Sequence, residues 1–223
     1  MSHHSRPRLV MIGNGMAGIR TLEELFKLAP DLYEVTVFGS EPHVNYNRIA
    51  LSPVLAGEQT MEDIVLNPLE WYQSHQITLH LGATVYEVDR VQKKVLAKNE
   101  KGQEITAEYD RLIMATGSTP FMLPIEGAKL EGVLAYRDIA DTLAMIEAST
   151  RYKQAVVIGG GLLGLEAANG LMKRGMQVTV VHVAPWLMER QLDPVAGGML
   201  EKSLVQRGLT FRIGAQTQAL TGD

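Results

Sequence analysis

Hydrophobic residues along this chain form short continuous runs that alternate with segments of helical periodicity. The first run, residues 9–12, has the near-continuous apolar character of a parallel strand with both faces buried. Apolar side chains then recur with helical period at Ile19, Leu22, Leu25 and Phe26. A second apolar strand follows at residues 34–38. This order of strand, helix and strand predicts a parallel α/β unit.

A second unit of the same kind is predicted late in the chain. Residues 155–172 have the pattern of strand, turn and helix, and a strand is predicted at residues 177–181. The remaining predicted elements are helices at 49–55, 68–75, 138–149 and 194–207, strands at 77–81, 84–88, 94–98, 112–115 and 209–213, and a hairpin turn at 99–103. The strand at 112–115 is expected to be buried. The helix at 138–149 is expected to present Ile139, Leu143 and Ile146 on one face.

Each predicted unit carries glycines at the G-x-G-x-x-G spacing between its first strand and its helix. They are Gly13, Gly15 and Gly18 in the first unit, and Gly159, Gly161 and Gly164 in the second. In dinucleotide-binding folds the first glycine makes a tight turn, the second lets a diphosphate approach and the third lets the helix pack on the strand. Unpaired N–H groups at the helix start then face the anion. The repetition predicts two mononucleotide-binding units, and two nucleotide-free glycine-rich turns are the alternative.

Composition narrows the chemistry. The chain has 223 residues, of which 46% are hydrophobic and 21% charged, as in ordinary globular proteins. A net charge of -4, without a basic stretch that alternates with aromatics, argues against nucleic acid and anionic membranes as partners. The chain contains no cysteine, so a dithiol, a disulfide or a Cys-ligated iron-sulfur cluster cannot lie within it. Redox chemistry must therefore belong to a bound organic cofactor.

Two further signals bear on location and metals. No apolar signal region precedes the first strand, which predicts a cytoplasmic protein, and no run is apolar enough for a membrane span. The histidines lack metal-ligand spacing, because His75 and His80 lie on either side of a predicted change from helix to strand. His3 and His4 precede the first strand. No metal site is predicted.

Four segments together resemble the two-dinucleotide-domain flavoprotein reductases, in which an NAD(P)H domain is inserted into an FAD domain. They are GNGMAG, NYNRIALSPVLAGE, YDRLIMATGSTP and IGGGLLGLE. The loop VNYNRIALSPVLAGE and the later WLMERQLD are most similar to the N-terminal region of the large subunits of assimilatory NAD(P)H nitrite reductases.

The resemblance implies an α/β fold with two Rossmann-like dinucleotide-binding units, FAD first and NAD(P) second. The second unit is expected to be truncated at its C-terminus, because a complete nucleotide unit needs further strands. The implied domains are the first part of the FAD domain at 1–120, a connection with the first helix of the inserted domain at 121–150, and an incomplete NAD(P)H domain at 151–223.

The resemblance also assigns individual residues to each cofactor. Those implied for FAD are Gly13, Gly15, Met16, Ala17, Gly18, Arg48, Val85, Ala115, Thr116 and Gly117. Those implied for NAD(P)H are Gly159, Gly161, Leu162, Leu163 and Gly164. Glu166 is implied to lie near the nicotinamide and the flavin as the catalytic residue. From the residues alone, Glu166 is equally a carboxylate favoured by the helix dipole, and Arg48 is equally a solvated surface cation.

Three positions depart from the family pattern. The acidic residue that accepts ribose hydroxyls after each second strand is replaced by Gly39 in the first unit and by His182 in the second. Glu41 could serve the adenosine ribose of FAD instead. A neutral His182 could accept from a ribose hydroxyl, and a protonated one could pair with a 2'-phosphate, with Arg190 as a helper. Pro53 stands where many related reductases have a lysine close to the flavin.

The resulting hypothesis is a flavoprotein that takes hydride from NAD(P)H onto FAD and passes electrons onward, as the electron-input part of a nitrite reductase that makes ammonium. Its sirohaem and iron-sulfur cluster would lie in a downstream part, and the nitrite reductase small subunit or downstream redox domains would be its partners. Homo-oligomerisation is left open. The alternatives are an NAD(P)H-dependent ferredoxin or rubredoxin reductase, and a nucleotide-binding module without catalysis.

Overall fold

A computed structural model describes residues 6–222, and its elements begin with the predicted α/β unit. Strand β1 (Arg8–Ile12) leads into helix α1 (Met16–Leu28), and β2 (Glu34–Phe38) pairs in parallel with β1. Helix α1 buries Gly18, Ile19, Leu22 and Phe26. The periodicity of the apolar residues therefore gives both the helix and its buried face.

A parallel sheet of four strands forms around β1. Strand β3 (Thr78–His80) pairs with β2, strand β7 (Arg111–Met114) pairs with β1, and the strand order is β3-β2-β1-β7. The prediction that the last of these strands is buried is wrong, because Met114 is 66% exposed. In the described part of the chain β7 is an edge strand of the sheet, and β1 is the one strand that pairs with it.

An antiparallel ribbon packs against one face of this sheet. Its strands are β4 (Ala83–Asp89), β5 (Lys94–Asn99) and β6 (Glu104–Glu108), in the order β4-β5-β6. The predicted turn between β5 and β6 forms around Asn99, whose side-chain oxygen accepts the Lys101 and Gln103 N–H groups at 3.0 and 2.9 Å. The short helix α3 (Leu69–Ser74) precedes β3 and buries Tyr72.

The second predicted unit forms its own parallel sheet. Strand β8 (Gln154–Ile158), helix α5 (Leu162–Lys173) and strand β9 (Gln177–His182) repeat the first pattern. Helix α6 (Pro194–Gln206) and strand β10 (Thr210–Ile213) follow, and the strand order is β10-β9-β8.

Two helices from other parts of the chain pack with this second sheet. A 3-10 turn at Arg48–Ala50 continues into helix α2 (Leu51–Leu55), and helix α4 (Ile139–Arg151) precedes β8. The side chain of Leu55 lies against α5 at Gly170, where a Cβ atom would be 2.6 Å from Leu55 Cγ. A residue without a side chain is therefore required at this helix contact.

The prediction that Leu143 belongs to the buried face of α4 is wrong. That side chain is 48% exposed, whereas Ile139, Thr142, Met145 and Ser149 are buried. Thr142 can be buried because its hydroxyl donates to the Asp138 carbonyl at 2.8 Å, and Ser149 bonds to the preceding turn in the same way. Self-satisfied polar residues therefore share the buried stripe with apolar ones.

The described residues divide into two compact units. The first contains the chain up to Asn47 together with Ile64–Ser118, and the second contains Arg48–Asp63 together with the chain from Thr119 onward. The predicted FAD region included residues 48–63, which here group with the second unit. Among the described residues, no helix is both long and apolar enough to cross a membrane.

Two candidate dinucleotide sites

The first glycine turn lies between β1 and α1. Gly13 has a φ angle of +112°, which favours glycine, and its N–H donates to the Phe38 carbonyl at 2.8 Å. A Cβ atom on Gly13 would lie 2.1 Å from the Ala115 carbonyl oxygen. The turn therefore needs glycine both for its backbone angle and for the close approach of the chain after β7.

The other two glycines of this turn differ in their surroundings. A Cβ atom on Gly18 would lie 2.8 Å from the Gly13 carbonyl oxygen, so Gly18 allows α1 to pack closely on the turn. No described heavy atom lies within 4 Å of a Cβ built on Gly15. Gly15 therefore faces open space, as a backbone does when a ligand must approach it.

The second turn repeats this arrangement between β8 and α5. Gly159 has a φ angle of +119°, and its N–H donates to the Val181 carbonyl at 2.8 Å. A Cβ atom on Gly164 would lie 2.0 Å from the Gly159 carbonyl oxygen, whereas one on Gly161 would meet no described heavy atom within 4 Å. The tight turn and the close helix packing predicted from the spacing therefore occur in both units. The approach of a diphosphate to the second glycine of each turn stays a prediction.

The helices that follow the two turns lack side-chain caps, unlike other helices of similar length. Helices α4 and α6 are capped by Asp138 and Asp193, whose carboxylates accept an N–H group of the first turn. Helices α1 and α5 begin at Gly15 and Gly161 with no capping side chain and no acidic residue in the first turn. Their N–H groups are therefore available to an anion, and both sites fit the diphosphate of a dinucleotide.

The remaining predicted residues of the two helix starts lie where such a ligand would meet them. Met16 and Ala17 form the first turn of α1, and Leu162 and Leu163 form the first turn of α5. Leu162 and Leu163 are 56% and 51% exposed. That their backbone N–H groups, rather than their side chains, bind the diphosphate stays a prediction.

The loop after β2 shows why the usual acidic residue is absent at Gly39. A Cβ atom on Gly39 would lie 2.8 Å from Asn14 Cβ, so the Asn14 side chain takes the place that a longer side chain would need. Tyr72 donates to Asn14 Oδ1 at 2.8 Å, and Asn14 Nδ2 donates to the His43 carbonyl at 3.2 Å. Sequence reasoning missed Asn14 and Tyr72, because Asn14 occupies an unspecified position of G-x-G-x-x-G and Tyr72 lies 58 residues further along the chain.

Glu41 is held in the same loop. The Tyr46 hydroxyl donates to Glu41 Oε2 at 2.7 Å, and the Gly82 N–H donates to the Glu41 carbonyl at 3.1 Å. The half-buried carboxylate is thus oriented by a buried tyrosine. Its contact with the adenosine ribose stays a prediction.

The other residues predicted for FAD lie in several elements. Val85 lies in β4 just before a bulge, and residues 115–117 follow β7 beside the first glycine turn. Gly117 has a φ angle of +69°. Arg48 belongs to the second unit, where its Nη1 donates to the Arg137 carbonyl at 2.9 Å. The role of Arg48 toward FAD stays a prediction.

Glu166 lies one turn into α5 and is part of a hydrogen-bonded network. The Ser52 hydroxyl of α2 donates to Glu166 Oε2 at 2.6 Å and lies 3.0 Å from the Tyr136 hydroxyl. Burial raises the pKa of Tyr136, and the negative charge of Glu166 adds to that rise. Sequence reasoning missed Ser52 and Tyr136, because the partners are far apart in the chain.

His182 ends β9 and is 6% exposed. The Gly160 N–H donates to His182 Nδ1 at 3.0 Å, and His182 Nε2 lies 3.0 Å from Glu189 Oε2. Arg190, the predicted helper, is exposed. Glu189 had no role in the sequence analysis, although it lies within the segment WLMERQLD.

No group of three or more metal-ligating side chains occurs in the described part of the chain. His75 stacks on Phe26 with ring centroids 4.7 Å apart, and His80 stacks on Phe38 at 4.8 Å. Burial lowers the pKa of His80. His3 and His4 lie outside the described residues.

The glycine turns, their parallel strands and their uncapped helix starts are those of the dinucleotide-binding class of α/β proteins. Comparison with known families agrees, because the chain belongs to the pyridine nucleotide-disulphide oxidoreductase family, whose model matches residues 7–223. This confirms the predicted α/β class, the oxidoreductase class, and FAD and NAD(P)H as cofactors.

Individual relatives narrow the comparison. The chain is 51% identical to a nitrite reductase [NAD(P)H] of Bacillus subtilis (strain 168) over 98% of its own length and 27% of the relative. It is 48% identical to the assimilatory nitrate reductase electron transfer subunit of the same organism, over 97% of this chain and 28% of the relative. The chain thus spans little more than a quarter of these curated relatives.

A solved structure shares the fold. The water-forming NADH oxidase from Lactobacillus brevis, solved with NADH bound, superposes with a TM-score of 0.89 at 23% identity. The match covers 97% of this chain and 48% of the oxidase.

Proposed function

We propose that this chain is the electron-input region of an NAD(P)H-dependent flavoprotein, with FAD held by the first glycine turn and NAD(P)H by the second. The observation that carries this proposal is the repeated turn, whose second glycine is open and whose helix start is uncapped. Bound FAD would supply the redox chemistry, the transfer of reducing equivalents from NAD(P)H to an acceptor.

The residues of the chain bind the two cofactors and orient the groups beside them. The N–H groups at the starts of α1 and α5 bind the two diphosphates. Ser52 and Tyr136 orient the Glu166 carboxylate, which we place beside the nicotinamide and the flavin. Glu41, Arg48, Val85 and residues 115–117 remain proposed contacts of FAD.

For the whole protein we propose nitrite reduction to ammonium. The 51% identical relative, a nitrite reductase [NAD(P)H], favours this over a separate ferredoxin or rubredoxin reductase. The 48% identical relative, an electron transfer subunit of an assimilatory nitrate reductase, supports the electron-input role. Iron-sulfur clusters need cysteine ligands, and this chain has no cysteine. The iron-sulfur cluster and the sirohaem of the proposed nitrite reductase would therefore belong to residues outside this chain. A nitrite reductase small subunit or downstream redox domains are the proposed partners, and the cytoplasm is the proposed compartment.

A reconstitution experiment tests the flavin site. The chain is refolded with FAD, freed of excess cofactor, and analysed for bound flavin by its visible absorbance and for NADH-dependent dye reduction. Gly15→Val should abolish flavin retention, because the added side chain fills the open space at the turn. Gly198→Val is the matched control, since Gly198 in α6 also faces no described heavy atom within 4 Å.

The outcomes separate the candidate functions. Retention of FAD with dye reduction supports the electron-input proposal. Binding of FAD and NADH without turnover supports a nucleotide-binding module instead. If Gly15→Val retains FAD as the wild type does, the first turn does not bind the flavin.

A further inference from the structure

The end of β9 is the place where nucleotide-binding units present an acidic residue to the adenosine ribose. Here the place is taken by His182, whose ring packs onto the glycine turn. A Cβ atom on Gly160 would lie 2.8 Å from His182 Cγ and 2.6 Å from Leu187 Cδ2. The histidine therefore fills the space beside the turn instead of projecting from it.

Both ring nitrogens of His182 are already used. Nδ1 accepts the Gly160 N–H, so this nitrogen carries no proton, and the ring proton is on Nε2. That Nε2–H group donates to the Glu189 carboxylate at 3.0 Å. His182 in this state offers a ribose or a 2'-phosphate no free nitrogen, and it directs a carboxylate to the edge of the site instead.

The segment that carries Glu189 is tied to the same turn. The Met188 N–H donates to the Gly160 carbonyl at 3.0 Å, and the Met188 carbonyl accepts the N–H groups of Gln191 and Leu192 at 2.8 Å each. Met188 has a φ angle of +53°, which a non-glycine residue keeps only where its surroundings fix it. The Gly160 carbonyl therefore fixes the backbone at Met188, and the His182 ring fixes the side chain of the next residue, Glu189.

The Glu189 side chain is held but not buried. It is 34% exposed, compared with 7% for the side chain of His182. One carboxylate oxygen accepts the hydrogen bond from His182 Nε2–H, and the carboxylate can accept further hydrogen bonds from hydroxyl groups. This combination of a fixed position and solvent access is what recognition of a diol requires.

We propose that Glu189, positioned by His182, accepts the adenosine ribose hydroxyls of the nicotinamide coenzyme and thereby selects NADH over NADPH. The proposal rests on the proposed binding of NAD(P)H at the second glycine turn. NADPH carries a 2'-phosphate of charge about -1.5 to -2 in place of one ribose hydroxyl. A carboxylate at that position rejects it by like-charge repulsion and offers it no proton to accept.

Arg190 provides the opposing hypothesis. It is exposed and adjacent to Glu189, and an arginine at this point could pair with a 2'-phosphate. If Arg190 governed recognition, NADPH would bind more tightly than NADH. The two hypotheses therefore predict opposite orders of affinity.

Calorimetric titration of the FAD-reconstituted chain with NADH and with NADPH measures this order directly, without turnover. We expect NADPH to bind at least about tenfold more weakly, as like charges within a few ångströms at a partly exposed site imply. Glu189→Gln keeps the shape and an acceptor for the His182 proton but removes the charge. It should narrow the NADPH-to-NADH ratio of Kd by about tenfold, mainly through tighter NADPH binding.

Two further variants complete the experiment. His182→Asn removes the donor to Glu189 and should also narrow the ratio, which a purely structural role of the histidine would not do. Glu147→Gln is the charge-matched control, because Glu147 is exposed on α4 and pairs with Arg151 of the same helix. It should leave the ratio unchanged.

The results separate failure of this inference from failure of the proposed function. Equal or tighter binding of NADPH by the wild type would overturn the role of Glu189, as would a Glu189→Gln variant with wild-type circular dichroism and an unchanged ratio. Absence of binding by either coenzyme would instead overturn the assignment of the second turn to NAD(P)H, and the inference with it.

Discussion

Gly164→Ala should destabilise the second unit, although alanine is the better helix former. A Cβ atom at this position would lie 2.0 Å from the Gly159 carbonyl oxygen and 3.0 Å from its carbon. Because the obstacle is backbone, α5 must move away by about 1 Å or more to restore van der Waals distance. Overpacking of this kind costs about 1–3 kcal/mol, and a backbone obstacle places it at the upper end.

The gain in helix propensity offsets part of this cost. Replacing glycine by alanine inside a helix contributes about 1 kcal/mol. The net loss in the free energy of unfolding is therefore about 2 kcal/mol, which lowers Tm by roughly 4–8 °C for a chain of this size. Thermal unfolding of the cofactor-free chain, followed by circular dichroism, measures the change.

Two matched variants show whether the contact is the cause. Gly198→Ala, in the interior of α6 with open space at its Cβ, should leave Tm unchanged or raise it. Gly161→Ala, also facing open space, should cost at most about 1 kcal/mol as a changed cap but weaken NADH binding. The reasoning is refuted if Gly164→Ala unfolds at or above the wild-type temperature while Gly198→Ala behaves as expected.

Two further predictions concern the Glu166 network and the first strand. Ser52→Ala removes the hydroxyl that donates to Glu166, so the rate of NADH-dependent dye reduction should fall up to about tenfold while the Kd for NADH stays constant. Ser52→Thr, which keeps a hydroxyl, should restore the rate. An unchanged rate in Ser52→Ala would show that Ser52 has no role in the reaction. Asp110 accepts from the backbone N–H and the guanidinium of Arg8, which lower its pKa, so its contribution to stability is present above the unfolded pKa and lost as pH falls through the folded one. Asp110→Asn should therefore reduce the loss of Tm between neutral and acidic pH, and an equal acid sensitivity of both proteins would contradict this.

The glycine turns could be predicted from the sequence because their requirements are local. Gly13 and Gly159 need a positive φ, and Gly18 and Gly164 need the absence of a side chain. Each need is met by the residue type alone. The strands and helices around the turns were predicted for the same reason. Apolar runs and helical periodicity act over a few residues, which is the range at which a sequence is read directly.

The features that the sequence analysis missed depend on contacts between distant segments of the chain. Ser52 and Glu166 are 114 residues apart, and nothing in either segment indicates the hydrogen bond between them. Leu143 fitted the predicted apolar face of α4 but is 48% exposed, because Thr142, whose hydroxyl donates to the Asp138 carbonyl, takes the inner position. Glu189 became a candidate only when the structure showed the ring of His182 turned toward it.

Because α1 and α5 have uncapped N-termini, we expect the coenzymes to stabilise the first turns of these helices. In α4 and α6 an aspartate completes the first helical turn, but in α1 and α5 the completing group has to come from solution. Occupancy by flavin or pyridine nucleotide should thus tighten the first turn of each helix and slow amide exchange there. Loss of either coenzyme should cause fraying of the first helical turn that its phosphates had contacted.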